Sequence, residues 1–452
     1  MEDPERRPGP APRQAVRLEL LRVLGDVLLG PFRFARYLLR RRKLESDLRG
    51  YLLDAAPPDP PPQATVDTTR PLRIFLSCAE PSGEIHARSL VAALRERARE
   101  AGWPEPEFVG LGGARIAELG VRVIGDPVAR AAMGFGVVRA LPFYLDLLTR
   151  AATSLREDRV DVVAAVDSPA LHVPLGHLAH RYGVPVVHFV TPQYWGWMPW
   201  RVRGYRQAVD RALSILPFEP AWFRAHGVAT AHVGHPIADA LEGVPTRAPD
   251  LIVEDGYMVL LPGSRESVMR RNLPWMLEVL ASLQATHPDL RAVLPHDRDE
   301  LESTARELVR EAGMEDRIEL RFGSLHEHLA GARAAFSVSG TVLLDLLHHR
   351  LPTVVVYRLG SRLEATLGPH LLTVPYFASI NLLTGRETCP EFHFFDAPPT
   401  RDVLEALGRI WADPEVRARM AEELELAASR LGGPGAADRA AAWVLEAAGT
   451  PR

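Results

Sequence analysis

Lysine is all but missing: Lys43 is the only one in 452 residues, and arginine stands in its place everywhere else, a mark of base composition rather than of function. Cysteine is nearly as scarce. Cys78 and Cys389 are too few for a disulfide framework or a cysteine-rich zinc site, and they suit a reducing compartment. A basic excess is lacking as well; the formal net charge of -4 argues against a general nucleic-acid binder. No apolar run is long enough to cross a bilayer, and even LLRVLGDVLLGPF is broken by Arg22 and Asp26. No basic start leads into an apolar stretch and a small-residue cleavage site, so secretion is not indicated and an intracellular chain is expected.

What is present is the composition of a folded protein, 47% hydrophobic and 24% charged, at a length that suggests two domains. Residues 1–54 form a basic amphipathic segment. Leucines alternate with arginines at near-helical spacing, and Arg33, Arg36, Arg40, Arg41, Arg42 and Lys43 come with no acid among them. Two readings stay open: an interfacial helix on anionic lipid, or a helix packed on its own protein. The proline-rich tract 55–70 predicts a stiff, extended linker, with folding proper beginning near Pro71.

From there, short apolar runs rich in Val and Ile alternate with amphipathic helical patterns. The runs at 73–77, 108–110, 122–124, 160–166, 185–190, 211–215 and 230–233 predict one parallel sheet covered on both faces. A second series begins at YMVLLPGSR (257–265) and continues through 290–294, 317–320, 334–337 and 352–356. The expectation is an α/β chain of two doubly wound, Rossmann-like domains, 71–245 and 246–398. Helical patterns over 399–452 follow and are expected to close back on the first domain.

In such sheets ligands sit at the carboxyl ends of the strands. Three segments there carry polar chemistry. LPGSRES (261–267) offers Gly263 for a tight turn, Ser264 as a cap and Arg265 as a planar fork for phosphate, and SVSGTVLLD (337–345) repeats strand, Ser339-Gly340-Thr341, helix. Helix capping explains either one alone about as well as ligand binding does; two caps with an arginine favour a diphosphate. VVAAVDSPALH (162–172) ends an apolar strand on Asp167. That carboxylate is a general base facing a cleft or an N-cap for the next helix, and on this segment alone the cap is favoured. TPQYWGWMPWRVRGYR (191–206) gathers Trp195, Trp197 and Trp200, which suits either a meeting of acyl chain and headgroup or core packing. GLGGAR (110–115) predicts a close-approach turn with Arg115 toward the cleft, since no acid follows to grip a ribose. His326, His328, His348 and His349 match no zinc spacing, so no metal is expected.

AEPSGE (79–84), GLGGAR, MGF (133–135), VDSP (166–169), TPQYWGW (191–197), LPFE (216–219), VGHPIAD (233–239), LPGSR, SGT and SINLLTGRETCPEF (379–392), in that order, resemble the lipid-A-disaccharide synthase family. The resemblance implies an inverting, GT-B type glycosyltransferase that joins UDP-2,3-diacylglucosamine to 2,3-diacylglucosamine 1-phosphate and releases UDP. It implies no metal and no cofactor, UDP-sugar being a substrate. It further implies a cytoplasmic enzyme peripheral to the inner membrane, acylated glucosamine partners, no nucleic acid, and a homodimer. By the same resemblance Asp167 is the base, and Gly263, Ser264, Arg265, Ser339, Gly340, Thr341, Asn381 and Glu391 hold the nucleotide sugar. Glu80, Ser82, Gly83, Met133, Gly134, Trp195 and Trp197 line the acceptor side.

The chain departs from the family pattern at Ala79 and Glu84, at Ala170, Leu171 and His172 where Asp-Phe-Asn is common, and at Val268 and Asp345 where glutamates are usual. Two alternatives stay open on those departures: a divergent member acting on another lipid-linked sugar, and a non-catalytic nucleotide-sugar or lipid binding protein. A nucleotide-sugar epimerase is a third, and it would need neither the tryptophan cluster nor a membrane helix.

Overall fold

The computed structural model describes residues 8–63, 70–131, 137–246, 256–296 and 299–449. The chain divides into two compact units, 1–240 with 432–452, and 241–431.

The first unit is built on a seven-stranded parallel sheet of β1 (Arg73–Cys78), β2 (Glu107–Leu111), β3 (Arg122–Gly125), β4 (Val162–Val166), β5 (Val186–Phe189), β6 (Arg211–Ser214) and β7 (Thr230–His232). Their spatial order is β3-β2-β1-β4-β5-β6-β7. The order reverses between β1 and β4, which pair in register from Ile74 with Val162 to Cys78 with Val166. All five residues of β4 are buried, as expected of a central strand covered by helices on both faces. Gly110 of β2 has no room for a side chain: an added Cβ would lie 1.7 Å from the Leu76 carbonyl oxygen.

The second unit repeats the plan with six parallel strands, β8 (Tyr257–Leu261), β9 (Ala292–His296), β10 (Ile318–Phe322), β11 (Ala332–Val338), β12 (Thr353–Arg358) and β13 (Glu391–Phe394). Their order is β10-β9-β8-β11-β12-β13, reversing between β8 and β11. The edge strand β13 was not foreseen, because Glu391-Phe392-His393-Phe394 alternates instead of running apolar.

The three C-terminal helices part company. Thr400–Ala412 packs on the helix Glu266–Thr286, and Pro414–Leu431 packs on the helices Val342–His348 and Ser379–Thr384, all within the second unit. Only the last helix, Ala436–Gly449, returns to the first unit. There it lies on α3 (Pro81–Glu100), with Ala440, Ala441, Val444 and Leu445 joining the core formed by Ile74, Leu76 and Val166. Its N-terminus is capped from a distance: the Asp239 carboxylate accepts the amides of Gly435, Ala436 and Ala437.

The N-terminal segment is no free appendage. It forms α1 (Pro12–Leu28) and α2 (Gly30–Leu53); α1 packs on the helices Val137–Glu157 and Pro169–Arg181, and α2 on the helix Glu219–Ala225. The start of the proline tract is likewise docked. Asp59 accepts the His232 amide at 2.7 Å and pairs with Arg224 at 3.1 Å, while the Ala56 amide reaches the Pro217 carbonyl.

Gly110→Ala is expected to destabilise the first unit by about 3–5 kcal/mol, because backbone must move to admit the methyl group. The check is the urea unfolding midpoint; an unchanged midpoint refutes the close approach.

Candidate active site

Both order reversals carry the polar motifs, so the geometry of each follows from its sheet. In the second unit β8 ends at Leu261 and turns through Pro262, Gly263 and Ser264. Gly263 sits at φ +121°, and a Cβ there would lie 2.5 Å from Val268 Cγ1, so only glycine fits. Arg265 is the exposed N-cap residue of the helix Glu266–Thr286. On the neighbouring strand, β11 ends at Val338 and passes through Ser339, Gly340 and Thr341 into the next helix. Together these loops wall a cavity of ≈ 520 Å³, to which His296 at the end of β9, Gly323 after β10 and Asp345 also contribute. An added Cβ at Gly340 meets nothing within 4 Å.

Ser339 Oγ donates to the Phe377 carbonyl at 3.2 Å, and the amides of Phe377 and Ala378 donate to the Glu391 carboxylate at 2.9 and 2.8 Å. Asn381 does not reach the cavity, contrary to its expected role as a nucleotide contact. It is fully buried, and its amide is fully used. Nδ2 donates to the Cys389 carbonyl and to Glu391, and Oδ1 accepts the amides of Thr388 and Cys389. Asn381 and Glu391 thereby brace the 377–378 backbone, which in turn fixes Ser339. Burial raises the Glu391 carboxyl above its ordinary range, and the two amides and Asn381 partly oppose the shift.

Asp345 and His296 went unassigned in the sequence reading. The Asp345 side chain, 18% exposed, has its carboxyl pushed up to about 6 by burial. His326 Nε2 stands 3.8 Å from its Oδ1, and His326 Nδ1 lies 3.2 Å from His349 Nε2. The histidines at 326, 348 and 349 thus do gather, yet no group of metal-ligand type forms among the described residues. His296 is buried with no hydrogen-bond partner for Nδ1 among the described residues.

In the first unit, α3 begins beside the end of β4. Gly83 is buried there, and a Cβ on it would lie 3.5 Å from Asp167 Cβ. Asp167 and Ser168 both have positive φ, 58° and 43°, a costly pair of left-handed non-glycine residues, about 1–3 kcal/mol each. Two imidazoles hold the pair in place. His188 Nε2 donates to the Asp167 carbonyl at 2.7 Å, and His172 Nδ1 donates to the same oxygen. Tyr205 Oη donates to His188 Nδ1 and Ser77 Oγ to His172 Nε2, both at 2.9 Å, so each ring is a fixed tautomer. Burial holds both rings neutral, pulling His172 down to about 3 and His188 below its usual value.

Ser168, not Asp167, occupies the N-cap of the helix Pro169–Arg181, and it makes no side-chain cap bond. Its hydroxyl donates instead to Glu80 Oε1 at 3.2 Å. The Asp167 carboxylate is half-buried, with no hydrogen bond or ion pair among the described residues, and its charge acts on His86 of α3. Ser82 is exposed on the first turn of α3. Glu84 is buried, with the Ile116 amide 3.4 Å from its carboxylate, and a Cβ on Gly113 would lie 2.7 Å from Glu84 Oε1. The GLGGAR turn therefore serves packing, with Arg115 exposed.

Trp195 belongs to the core, contrary to its expected place on the acceptor side. It is 2% exposed, sits edge-on to Phe218 at 4.9 Å, and donates Nε1 to Glu219 at 3.0 Å. Burial pushes the Glu219 carboxyl up to about 7 against those bonds. Trp197 is 42% exposed, and Trp200 packs on Tyr37 of α2 with ring centroids 5.1 Å apart. Met133 and Gly134 lie outside the described residues.

Two doubly wound parallel sheets, each with its polar loops at the order reversal, define the GT-B type fold of nucleotide-sugar enzymes. A UDP-N-acetylglucosamine 2-epimerase structure shares the fold at a TM-score of 0.50 and 14% identity, over 83% of this chain and 95% of that one. A Listeria monocytogenes protein of the same description has a TM-score of 0.52 at 15% identity, covering 82% and 94%. Sequence narrows the class. Residues 74–426 match the family model described as lipid-A-disaccharide synthetase. The Myxococcus xanthus lipid-A-disaccharide synthase is 36% identical over 84% of this chain and 98% of its own length, and that of Alkalilimnicola ehrlichii is 34% identical over 84% and 99%. The chain belongs to the lipid-A-disaccharide synthase family.

Because the folded state holds the Asp345 proton more tightly than the unfolded chain does, its stabilising effect is complete below the ordinary value of 3.8 and is lost as pH rises through about 6. Between about pH 4 and about pH 7 the parent is expected to lose on the order of 2 kcal/mol relative to Asp345→Asn. Parallel stability-against-pH curves for the two proteins would contradict the assignment.

Proposed function

We propose that the chain transfers the sugar of UDP-2,3-diacylglucosamine to the 6-hydroxyl of 2,3-diacylglucosamine 1-phosphate, giving the β-1,6-linked disaccharide 1-phosphate and UDP. The observation that carries the reading is the pairing of family membership with polar motifs at both order reversals, a carboxylate in the first unit and a phosphate-type loop in the second.

In this mechanism Asp167 takes the proton of the acceptor hydroxyl as its oxygen bonds to the anomeric carbon from the face opposite UDP. The bond from that carbon to the diphosphate oxygen breaks, and the electron pair leaves with UDP. Arg265, Ser264 and the Ser339-Gly340-Thr341 backbone bear the growing negative charge. Preorganised donors of this kind need no covalent intermediate. Two features support Asp167 as base: its carboxylate is half-buried without a hydrogen-bond or ion-pair partner among the described residues, and its backbone is held in a strained conformation. Glu80, tied to Ser168, and Ser82 are proposed to meet sugar hydroxyls, and the exposed Trp197 an acyl chain. The arginine fork supplies the positive charge, so no metal or cofactor is invoked. We infer also that the enzyme acts as a peripheral protein on the cytoplasmic face of the inner membrane, where its acylated substrates reside, and as a homodimer.

Purified protein given both acylated substrates is expected to yield the disaccharide 1-phosphate by mass spectrometry, with turnover unaffected by EDTA. Asp167→Asn should lower kcat by about 100-fold to 10,000-fold with UDP affinity nearly unchanged. Arg265→Ala should weaken UDP binding about tenfold or more. Equal product from parent and Asp167→Asn would refute the base, and loss of turnover in EDTA would refute the metal-free reading.

A further inference from the structure

The match to the family model begins at residue 74, so α1 and α2 lie outside it. Their inner side is committed to the first unit. Ala15, Val16 and Glu19 are buried on α1, and Tyr37, Leu48 and Leu52 on α2. The outer side is exposed among the described residues. α1 and α2 join at Leu29, which keeps helical backbone angles; the Leu29 and Arg33 amides bond back to the Gly25 and Leu29 carbonyls, and Pro31 stands in the first turn of α2. At the junction Asp26 pairs with Arg22 at 2.7 Å and with Arg33 at 2.8 Å.

Large apolar side chains are exposed on both sides of the junction. Leu21, Leu24 and Leu28 fall on one face of α1 at helical spacing, and Leu28 is 81% exposed. On α2, Phe32, Arg36, Leu39 and Lys43 share a face, with Phe32 71% and Leu39 89% exposed, so apolar and basic residues alternate turn by turn. A contiguous exposed apolar surface of this kind is uncommon unless something covers it. α2 carries seven basic residues against two acidic ones, a balance that opposes a second copy and favours an anionic surface. No described helix is long and apolar enough to span a bilayer, so contact would be interfacial.

We propose that the junction of α1 and α2 is a membrane-contacting ridge. Leu24, Leu28 and Phe32 enter the acyl layer of an anionic bilayer, while Arg36, Arg40 and Lys43 lie at the headgroup phosphates with their stems along the ridge. This rests on the reading of the substrates as acylated and membrane-resident, and it names the element by which this chain meets that surface.

The test is co-sedimentation of the full chain with phosphatidylcholine vesicles, with and without phosphatidylglycerol. Binding that depends on phosphatidylglycerol is expected, weakened about tenfold or more by Leu28→Asp with Phe32→Asp, and made salt-insensitive by glutamine at Arg36, Arg40 and Lys43. All these positions are exposed, so circular dichroism and melting temperature should match the parent. Unchanged vesicle binding by the Leu28→Asp, Phe32→Asp variant overturns the ridge. So does loss of a dimer in that variant with vesicle binding intact, which would make the face an interface between copies. Disaccharide formation with substrates in detergent micelles separates the two readings. A parent that binds vesicles yet makes no product in micelles would sink the proposed reaction and leave the ridge standing.

Discussion

A parallel sheet whose strand order reverses once must send the connections on either side of that point to opposite faces, and the two strands there are left with uncovered carboxyl ends. This constraint acts twice in the molecule, at β1 with β4 and at β8 with β11. Everything chemical follows from it. Asp167 and the start of α3 meet at the first reversal, and the Gly263 and Gly340 loops at the second. Of the two glycines only Gly263 is sterically required, with a left-handed backbone and Val268 directly against it.

Around each reversal a second layer of residues fixes the loops without entering the cavity. In the first unit it consists of His172 and His188, in the second of Asn381 and Glu391. Both layers join segments distant in sequence through hydrogen bonds, with His172, His188 and Asn381 buried, which is what makes such networks specific rather than merely stabilising. The last helix does comparable work at the scale of the fold, since its capping by Asp239 and its apolar face fasten the chain end to the first unit.

Much of this was legible in the sequence because central parallel strands are buried on both faces and therefore spell themselves out as runs of Val, Ile and Leu. The pairing of PGSR with SGT and the place of DSP followed from position after such runs, while the role of PSGE came only with the family resemblance. What was not legible depends on long-range partners. Trp195 and Trp197 look alike in TPQYWGW, but only Trp195 finds a buried acceptor, and Glu219 supplies it from 24 residues on. Asn381 carries a family motif, yet its amide is spent on Cys389 and Thr388. No periodicity announces that two imidazoles will converge on one carbonyl, or that an aspartate and a serine in succession will adopt left-handed backbone. The edge strand β13 was missed for a simpler reason: half of an edge need not be apolar.

Those two imidazoles have a consequence for how the first unit responds to its surroundings. Because burial lowers both, His172 to about 3 and His188 below its ordinary value, the clamp on Asp167 stays uncharged at neutral pH. Ordinary swings in acidity therefore leave this mount unchanged. Protonation and architecture are uncoupled at this corner of the protein, even though histidine is the side chain that elsewhere most often ties them together.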